Sequence, residues 1–491
     1  MKTKIFLLFT VLSFIMLGCL PQSKYTPEEF DIPENFRIVE TLTEHEEKEF
    51  SGDSIVHTLD SSKLAWQHYF KDETLIDLIQ KGLNHNFDIR MAIKNLEIYH
   101  LQYKQAGMEL LPDIHASIAS GDYQWRSKEF YSTPNSKWYS DKDAPENMYF
   151  YRGQNITGLN LSWEIDIWGK IRSQKAEHFY NYLSTLEAKK AVQTKLVADI
   201  ATSYYRLLAL YTQLSIAESN YQLSERTLRM VELQYESGNT TALAKQQTKS
   251  QMLATKALIP KIKQQISAQE NNLHFLTGST PGSIEVNPSE FENTFTNVEK
   301  NYSIPLSMVS YRTDVSKAEQ ELWAANARVG VSQANRYPRL AIDLSFGVNS
   351  LLPANWFNIP GALFGGIIGN LTQPLFNKKR LKTKFEQAKI DREVKEIQLQ
   401  KTVYQAIHEI SNLLTLMSSL DEQIKIAEEQ VINSELTITQ SNLLFNSGYA
   451  SYLEVINAQR VALESEIQLS QLKEERMQLK VLMYKALGGG W

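Results

Sequence analysis

From Leu159 the chain alternates. Leu159, Leu161, Trp163, Ile165 and Ile167 are apolar, and Asn160, Ser162, Glu164 and Asp166 fall between them. That is the period of a strand with one apolar and one polar face, and it predicts a strand over Thr157–Ile167. About eleven such residues are enough for a tilted strand to cross a bilayer. At Trp168-Gly169-Lys170 the period changes, and from Ile171 to Glu236 there is no Pro and no Gly. This run predicts roughly 100 Å of helix. Gly238 breaks it, and a return helix is predicted over Leu243–Leu276 with Pro260 inside it.

The same join recurs. A strand predicted over Gly365–Pro374 leads through Leu375, Phe376 and Asn377 into a second Gly- and Pro-free run, Lys378 to Asn446. Phe376 to Arg380 echoes Trp168 to Arg172 at this level. A break at Gly448 and a final helix to Leu487 follow. Leu233, Gly238, Leu243 and Gly278 repeat as Leu443, Gly448, Leu453 and Gly488, each 210 positions later. A gapless offset over two return helices indicates internal duplication. Ahead of each join lies a shorter helix closed by proline: Trp66–Leu111 before Pro112, and Val315–Asn335 before Pro338. After each proline comes another strand, Asp113–Tyr123 and Arg339–Asn349. Gln124–Asn155 is an aromatic loop, carrying Trp125, Tyr149 and Tyr151 among others, as expected of an interfacial girdle; a sugar-binding loop is the sharper alternative. Leu351–Phe364 is a short apolar loop.

Four strands per chain cannot close a barrel, because membrane barrels begin at about eight. Two copies would supply eight strands and three would supply twelve; strand arithmetic allows either. The helices are too polar for lipid and too long to fold compactly on one another, so coiled-coil hairpins extending below a barrel are the expected use of them.

The joins carry a resemblance. Asp166-Ile167-Trp168-Gly169-Lys170 is similar to the DLWGK of the outer membrane efflux protein family, the TolC-like outer-membrane factors, and Pro374-Leu375-Phe376 with Arg380 to its second-repeat PLFxxGR. Asn377-Lys378-Lys379 stands where glycines are common. Phe70, Asp72, Leu75, Asn86 and Asp88 resemble the opening of the first repeat, and Arg312-Thr313-Asp314 an RPD with Thr for Pro. The resemblance implies a mixed α/β membrane protein: a trimeric 12-stranded β-barrel continuing into a periplasmic α-helical barrel. It implies a homotrimer serving as exit duct for small toxic compounds or drugs. A periplasmic adaptor (membrane fusion protein) and an inner-membrane RND or ABC transporter would be its partners, and outer-membrane lipid its surroundings. A type I protein-secretion duct and a non-pore coiled-coil scaffold are the rivals. Within the resemblance, the domains are repeats at 66–280 and 304–491 with a linker at 281–303.

Lys2 and Lys4, then the apolar Ile5 to Met16, read as a secretory signal over residues 1–18. Leu17-Gly18-Cys19 resembles the end of a lipobox, which makes Cys19 the lipidated (palmitate-bearing) first residue of an acidic tether over 19–65. Leu20 in place of Asp implies no inner-membrane retention. Cys19 is the chain's one cysteine, so no disulfide framework exists. A net charge of −5 without a basic stripe excludes a nucleic-acid partner.

The hairpin tips, Ser237-Gly238-Asn239-Thr240 and Ser447-Gly448-Tyr449-Ala450, are the expected adaptor-docking sites by resemblance, and helix-capping turns on physical grounds. Glu454 and Asn457 occupy the positions where relatives place a carboxylate ring that constricts the tunnel. Glu454 as an ordinary solvated helix residue stands beside that reading, and Asn457 is not an acid. Ala244 and Gln247 hold the equivalent places in the first hairpin. The histidines show no HExxH spacing, and there is no Walker loop or nucleophile elbow. Gly365-Gly366-Ile367-Ile368-Gly369 sits in a predicted strand rather than a nucleotide turn. The expectation is no enzyme, no metal and no cofactor.

Overall fold

The computed structural model describes residues 65–127, 149–286, 306–350 and 353–489. The secretory signal, Cys19, the tether and most of the inter-repeat linker lie outside them. In chain order the elements are α1 (Trp66–Tyr69), α2 (Glu73–His85), α3 (Phe87–Met108), β1 (Asp113–Ser127), β2 (Tyr149–Glu164), α4 (Lys170–Glu236) and α5 (Ala242–Leu276). The second half gives α6 (Thr313–Ala334), β3 (Arg339–Ser350), β4 (Leu363–Thr372), α7 (Arg380–Asn446) and α8 (Tyr452–Ala486).

The duplication is visible in the boundaries. α4 and α7 are each 67 residues and start 210 positions apart; α5 and α8 are each 35 residues at the same offset. This offset corrects the sequence echo at the joins. Phe376 corresponds to Asp166 in the repeat, not to Trp168, and Lys379 takes the place of Gly169. Backbone geometry agrees: φ is +70° at Gly169 and +64° at Lys379, and Lys378 is also left-handed at +53°. The second join adopts a glycine conformation with two lysines.

The strands form one antiparallel sheet in the order β1-β2-β3-β4, so β1 and β4 are its edges. Register places Ile114 opposite Leu161, Leu161 opposite Leu344, and Leu344 opposite Ile367, a four-strand apolar rung. Leu159, Phe346 and Ile367 on that face are exposed. The other face is polar. Asp343 accepts from Ser162 Oγ at 2.8 Å and from Asn370 Nδ2 at 3.1 Å, and Asn160 Nδ2 donates to Ser117 Oγ at 3.0 Å. The register of β1 on β2 shifts between Ser117 and Ser120. Just there Gly158 faces Gly347, and a Cβ on Gly347 would lie 2.2 Å from Thr157 O, so the two backbones approach as only glycines allow.

Several boundaries differ from the sequence reading, among them β4, which spans Leu363–Thr372 rather than Gly365–Pro374 and takes Leu363 and Phe364 from the preceding loop. β2 begins at Tyr149 and β1 continues to Ser127, so Trp125 and Tyr149–Tyr151 belong to paired strands rather than to the loop; Trp125 faces Tyr151. The distal pairs extend the hairpin where alternation in sequence has already failed. β2 ends at Glu164, and Ile165–Ile167 lie outside it. The opening helix is three helices. Asp72 Oδ1 accepts from Leu75 N at 3.1 Å, and Asn86 Oδ1 from Asp88 N at 2.8 Å, so each side chain starts a new helix within a continuous apolar pattern.

Two compact units divide the described residues, and the division falls within continuous helices rather than at linkers. The first, Ile98–Tyr182 with Glu321–Glu396, holds the sheet. Its helical part packs through aromatic contacts, Tyr103 on Phe179 at 5.4 Å and Tyr180 on Trp323 at 6.1 Å. Arg328 there ties Glu177 at 2.9 Å and Asp391 at 3.0 Å. The second unit includes Leu183–Gln320 and Ile397–Trp491. Its core gathers Phe70, Leu75, Ile79, Tyr204, Leu208, Leu273 and Tyr484. Ile284 and Val286, at the start of the linker, pack onto this core.

The second unit also shows the repeats docking alike. Asn86 Nδ2 donates to Leu276 O at 2.9 Å, and Arg312 Nη1 donates to Ala486 O at 2.6 Å, so each opening motif caps the last turn of its own return helix. Arg312 is almost buried and pairs with Asp314 at 2.9 Å and Glu409 at 2.7 Å. Burial works against its charge, but the hydrogen bonds and charges of these carboxylates outweigh burial and hold it more firmly protonated than a free arginine. In the first repeat Asn86 and Asp199 replace Arg312 and Glu409. Burial raises the Asp199 carboxyl above the ordinary range, Lys195 and Lys485 partly opposing and Asp88 adding.

Candidate functional site: joins and hairpin tips

Each join is built by its own side chains. Asp166 Oδ1 accepts from Ile171 N at 3.0 Å, and Oδ2 from Arg172 N at 3.0 Å and from Arg172 Nε at 3.1 Å. One carboxylate thus satisfies two of the donors that open α4. Trp168 Nε1 donates to Pro338 O at 2.7 Å, and its ring stacks on Tyr337 at 5.0 Å. Glu164 pairs with Lys170 at 2.8 Å and Arg339 at 2.9 Å. Gly169, with its positive φ, lets the chain turn from strand to helix in one step. The second join has none of these carboxylates. Pro374 and Phe376 stand where Glu164 and Asp166 stand in the first. Pro374 and Phe376 are both exposed.

The two tips share one geometry. Gly238 N donates to Tyr235 O at 3.0 Å and Asn239 N to Gln234 O at 2.8 Å; Gly448 N donates to Phe445 O at 3.1 Å and Tyr449 N to Leu444 O at 2.9 Å. Both are Schellman turns with glycine left-handed, φ +79° and +78°. Thr241 then opens α5 by accepting from Ala244 N at 3.2 Å. Ser237, Asn239 and Ser447 are exposed, Thr240 and Ala450 half-buried, and Tyr449 projects with 86% of its surface exposed. Leu233, Leu243, Leu443 and Leu453 flank the tips, all exposed and related pairwise by the repeat.

The tips also meet each other. Val231, Ala244, Phe445 and Val455 form a small buried cluster, and Tyr452 OH donates to Gln247 Oε1 at 2.6 Å. These residues lie 205 positions apart, and no local pattern signals their pairing. Glu454 is exposed, and its carboxylate accepts from Ser451 N at the start of α8. Asn457 Oδ1 accepts from Arg460 Nη2 at 3.0 Å, and Arg460 Nη1 pairs with Glu464 at 2.8 Å. Glu454 therefore caps a helix, and it presents charge at the surface of the tip. Among the described residues no helix is long and apolar enough to cross a membrane.

Residues 78–279 and 308–489 match the outer membrane efflux protein family. The chain is 25% identical to the cation efflux system protein CusC of Escherichia coli O6:H1 over 480 residues, 97% of this chain and 96% of CusC. It is 26% identical to the probable outer membrane lipoprotein SilC of Salmonella typhimurium over 495 residues, 100% of this chain and 99% of SilC. The fold matches the open state of the MtrE outer membrane channel of Neisseria gonorrhoeae with a TM-score of 0.78 at 22% identity, covering 95% of this chain and 97% of MtrE. The family is one of transport channels rather than enzymes. The chain belongs to the outer membrane efflux protein family and is an outer-membrane protein of efflux.

Proposed function

We propose that three copies of this chain close a 12-stranded barrel in the outer membrane and continue it below as a helical tunnel. The assembly is the passive exit duct of a tripartite efflux pump for small toxic solutes. The observation that carries the reading is the apolar rung Ile114–Leu161–Leu344–Ile367, exposed at Ile114 and Ile367 and half-buried at Leu161 and Leu344, on a four-stranded sheet with two open edges. In water such a face and such edges invite aggregation; in a bilayer the face is solvated by lipid, and the edges must pair because lipid satisfies no backbone group.

The strands pass into 67-residue helices through one turn, which supports a conduit without a break at the membrane surface. The exposed leucines around Gly238 and Gly448 are the surface on which a periplasmic adaptor would dock, and an inner-membrane RND or ABC transporter would supply the energy. Glu454 and Asn457 at the second tip are the candidate constriction. Lipidation of Cys19 would anchor the N-terminus, in keeping with the lipoprotein designation of SilC. Cations are the cargo that the name of CusC prints; a duct loaded by its pump does not itself need to select.

The particle mass in detergent tests the assembly. Three chains per particle is the expected value. A monomer would overturn the duct and leave the scaffold reading.

A further inference from the structure

The internal repeat supplies a control for one anomalous segment. Residues 378–384 carry five cations, Lys378, Lys379, Arg380, Lys382 and Lys384, and no acid. All five are exposed. Among the described residues none of their side chains is in an ion pair. The corresponding first join balances its cations: Lys170 pairs with Glu164 and Arg172 with Asp166. The second join has exchanged those two acids for Pro374 and Phe376 and has gained lysines where the first has Trp168, Gly169 and Gln174. Leu375 and Phe376, directly beside the cations, are 94% and 88% exposed. They follow β4, whose Ile367 and Leu371 continue the apolar side of the sheet.

We propose that this segment docks on the headgroups of anionic phospholipid in the periplasmic leaflet of the outer membrane, with Leu375 and Phe376 entering the acyl boundary on the membrane side of the cations. Apolar side chains next to unpaired cations, at the end of a lipid-facing strand, match a surface that is greasy on one side and anionic on the other. A soluble anion would satisfy the lysines and leave Leu375 and Phe376 in water. The inference rests on the barrel reading above, since only a sheet in the bilayer brings the segment to that depth.

The test is native mass spectrometry of the full-length protein released from detergent. It is equilibrated with equal amounts of phosphatidylglycerol and phosphatidylcholine bearing the same acyl chains. The expected result is retention of phosphatidylglycerol about tenfold or more over phosphatidylcholine, falling to near parity in the variant K378Q/K379Q/K382Q/K384Q and in 0.5 M salt, roughly as a charged surface contact should. Inorganic phosphate at the same concentration is expected to leave the bound lipid in place. Equal retention by the wild type, undiminished preference in the variant, or displacement by phosphate would overturn the proposal. So would disulfide formation between copies through Lys382→Cys, which would show a second copy covering the segment. Particle mass and conductance of the variant separate the two readings. If both are unchanged while the lipid preference is missing from the wild type, the docking fails and the barrel stands.

Discussion

The indole N–H of Trp168 donates a hydrogen bond to the carbonyl of Pro338 across 2.7 Å, and so binds the end of the first join to the turn that feeds β3. The bond links the two repeats within the sheet-bearing unit. Trp168→Phe keeps the stack on Tyr337 and removes the donor, at a cost of about 1 kcal/mol. Asp166→Ala removes two caps and an ion pair at once and costs about 1–2 kcal/mol. Thermal unfolding of the purified protein should place Asp166→Ala at or below Trp168→Phe; an Asp166→Ala melting temperature equal to that of the wild type would show that the caps contribute little.

Arg312→Ala is expected to be more damaging. It strips Ala486 O of its donor and leaves Asp314 and Glu409 without their shared cation. Breaking a buried pair costs about 3 kcal/mol or more, here toward the low end because both carboxylates are partly solvated. Arg312→Lys should recover only part of it, since a point charge cannot span three acceptors. Denaturant midpoints check the ranking.

Glycines at the ends of the return helices differ from those at the tips. A Cβ on Gly238 meets nothing within 4 Å, whereas on Gly278 it falls 2.7 Å from His85 O. Gly238→Ala therefore carries only the left-handed backbone penalty, roughly 1–2 kcal/mol. Gly278→Ala carries that and a clash with the turn between α2 and α3. The melting temperature of the second variant should lie clearly below that of the first.

Much of this architecture is legible in the chain. The absence of Gly and Pro between Ile171 and Glu236 bounds α4 to within one residue, because a long uninterrupted helix ends where a glycine can turn left-handed, as Gly238 does. The distal half of β2 is not legible. Tyr149, Phe150 and Tyr151 are consecutive and alternate with nothing; pairing with β1 makes them strand. Asp72 and Asn86 interrupt a helix without interrupting its apolar period, and only their hydrogen bonds show it. Lys378 and Lys379 look like ordinary helix formers, yet both are left-handed. At the candidate site the tip glycines are readable from the 210-residue offset, while the Tyr452–Gln247 bond depends on how two distant hairpins meet.

Glu466 gives a pH dependence. Burial raises its pKa above the ordinary 4.5; Asn220 donates to it at 2.9 Å and partly opposes the shift, and Glu435 adds to it. The folded state therefore holds this proton more tightly than the unfolded chain. The associated stability is fully present below the ordinary value and is lost as pH rises through the raised one. Glu466→Gln should raise the melting temperature at pH 7 relative to the wild type, with the gap closing at pH 4. A lower melting temperature at pH 7 would show that the charged form is the better accommodated one.

At the second tip, charge and cap can be separated. Glu454→Gln keeps an acceptor for Ser451 N and removes the charge; Glu454→Ala removes both and costs about 1 kcal/mol of helix stability. A carboxylate ring at the constriction predicts that both variants lose cation preference and that only the alanine variant melts lower. Unchanged ion selectivity in both would leave Glu454 as a cap alone.

On the proposed function, copies of this chain enclose a water-filled path through the outer membrane. Single-channel recording of the purified protein in a planar lipid bilayer reads that path out. A water-filled duct gives discrete openings of uniform size from particles of three chains; a bilayer that stays silent with protein demonstrably inserted would rule the duct out.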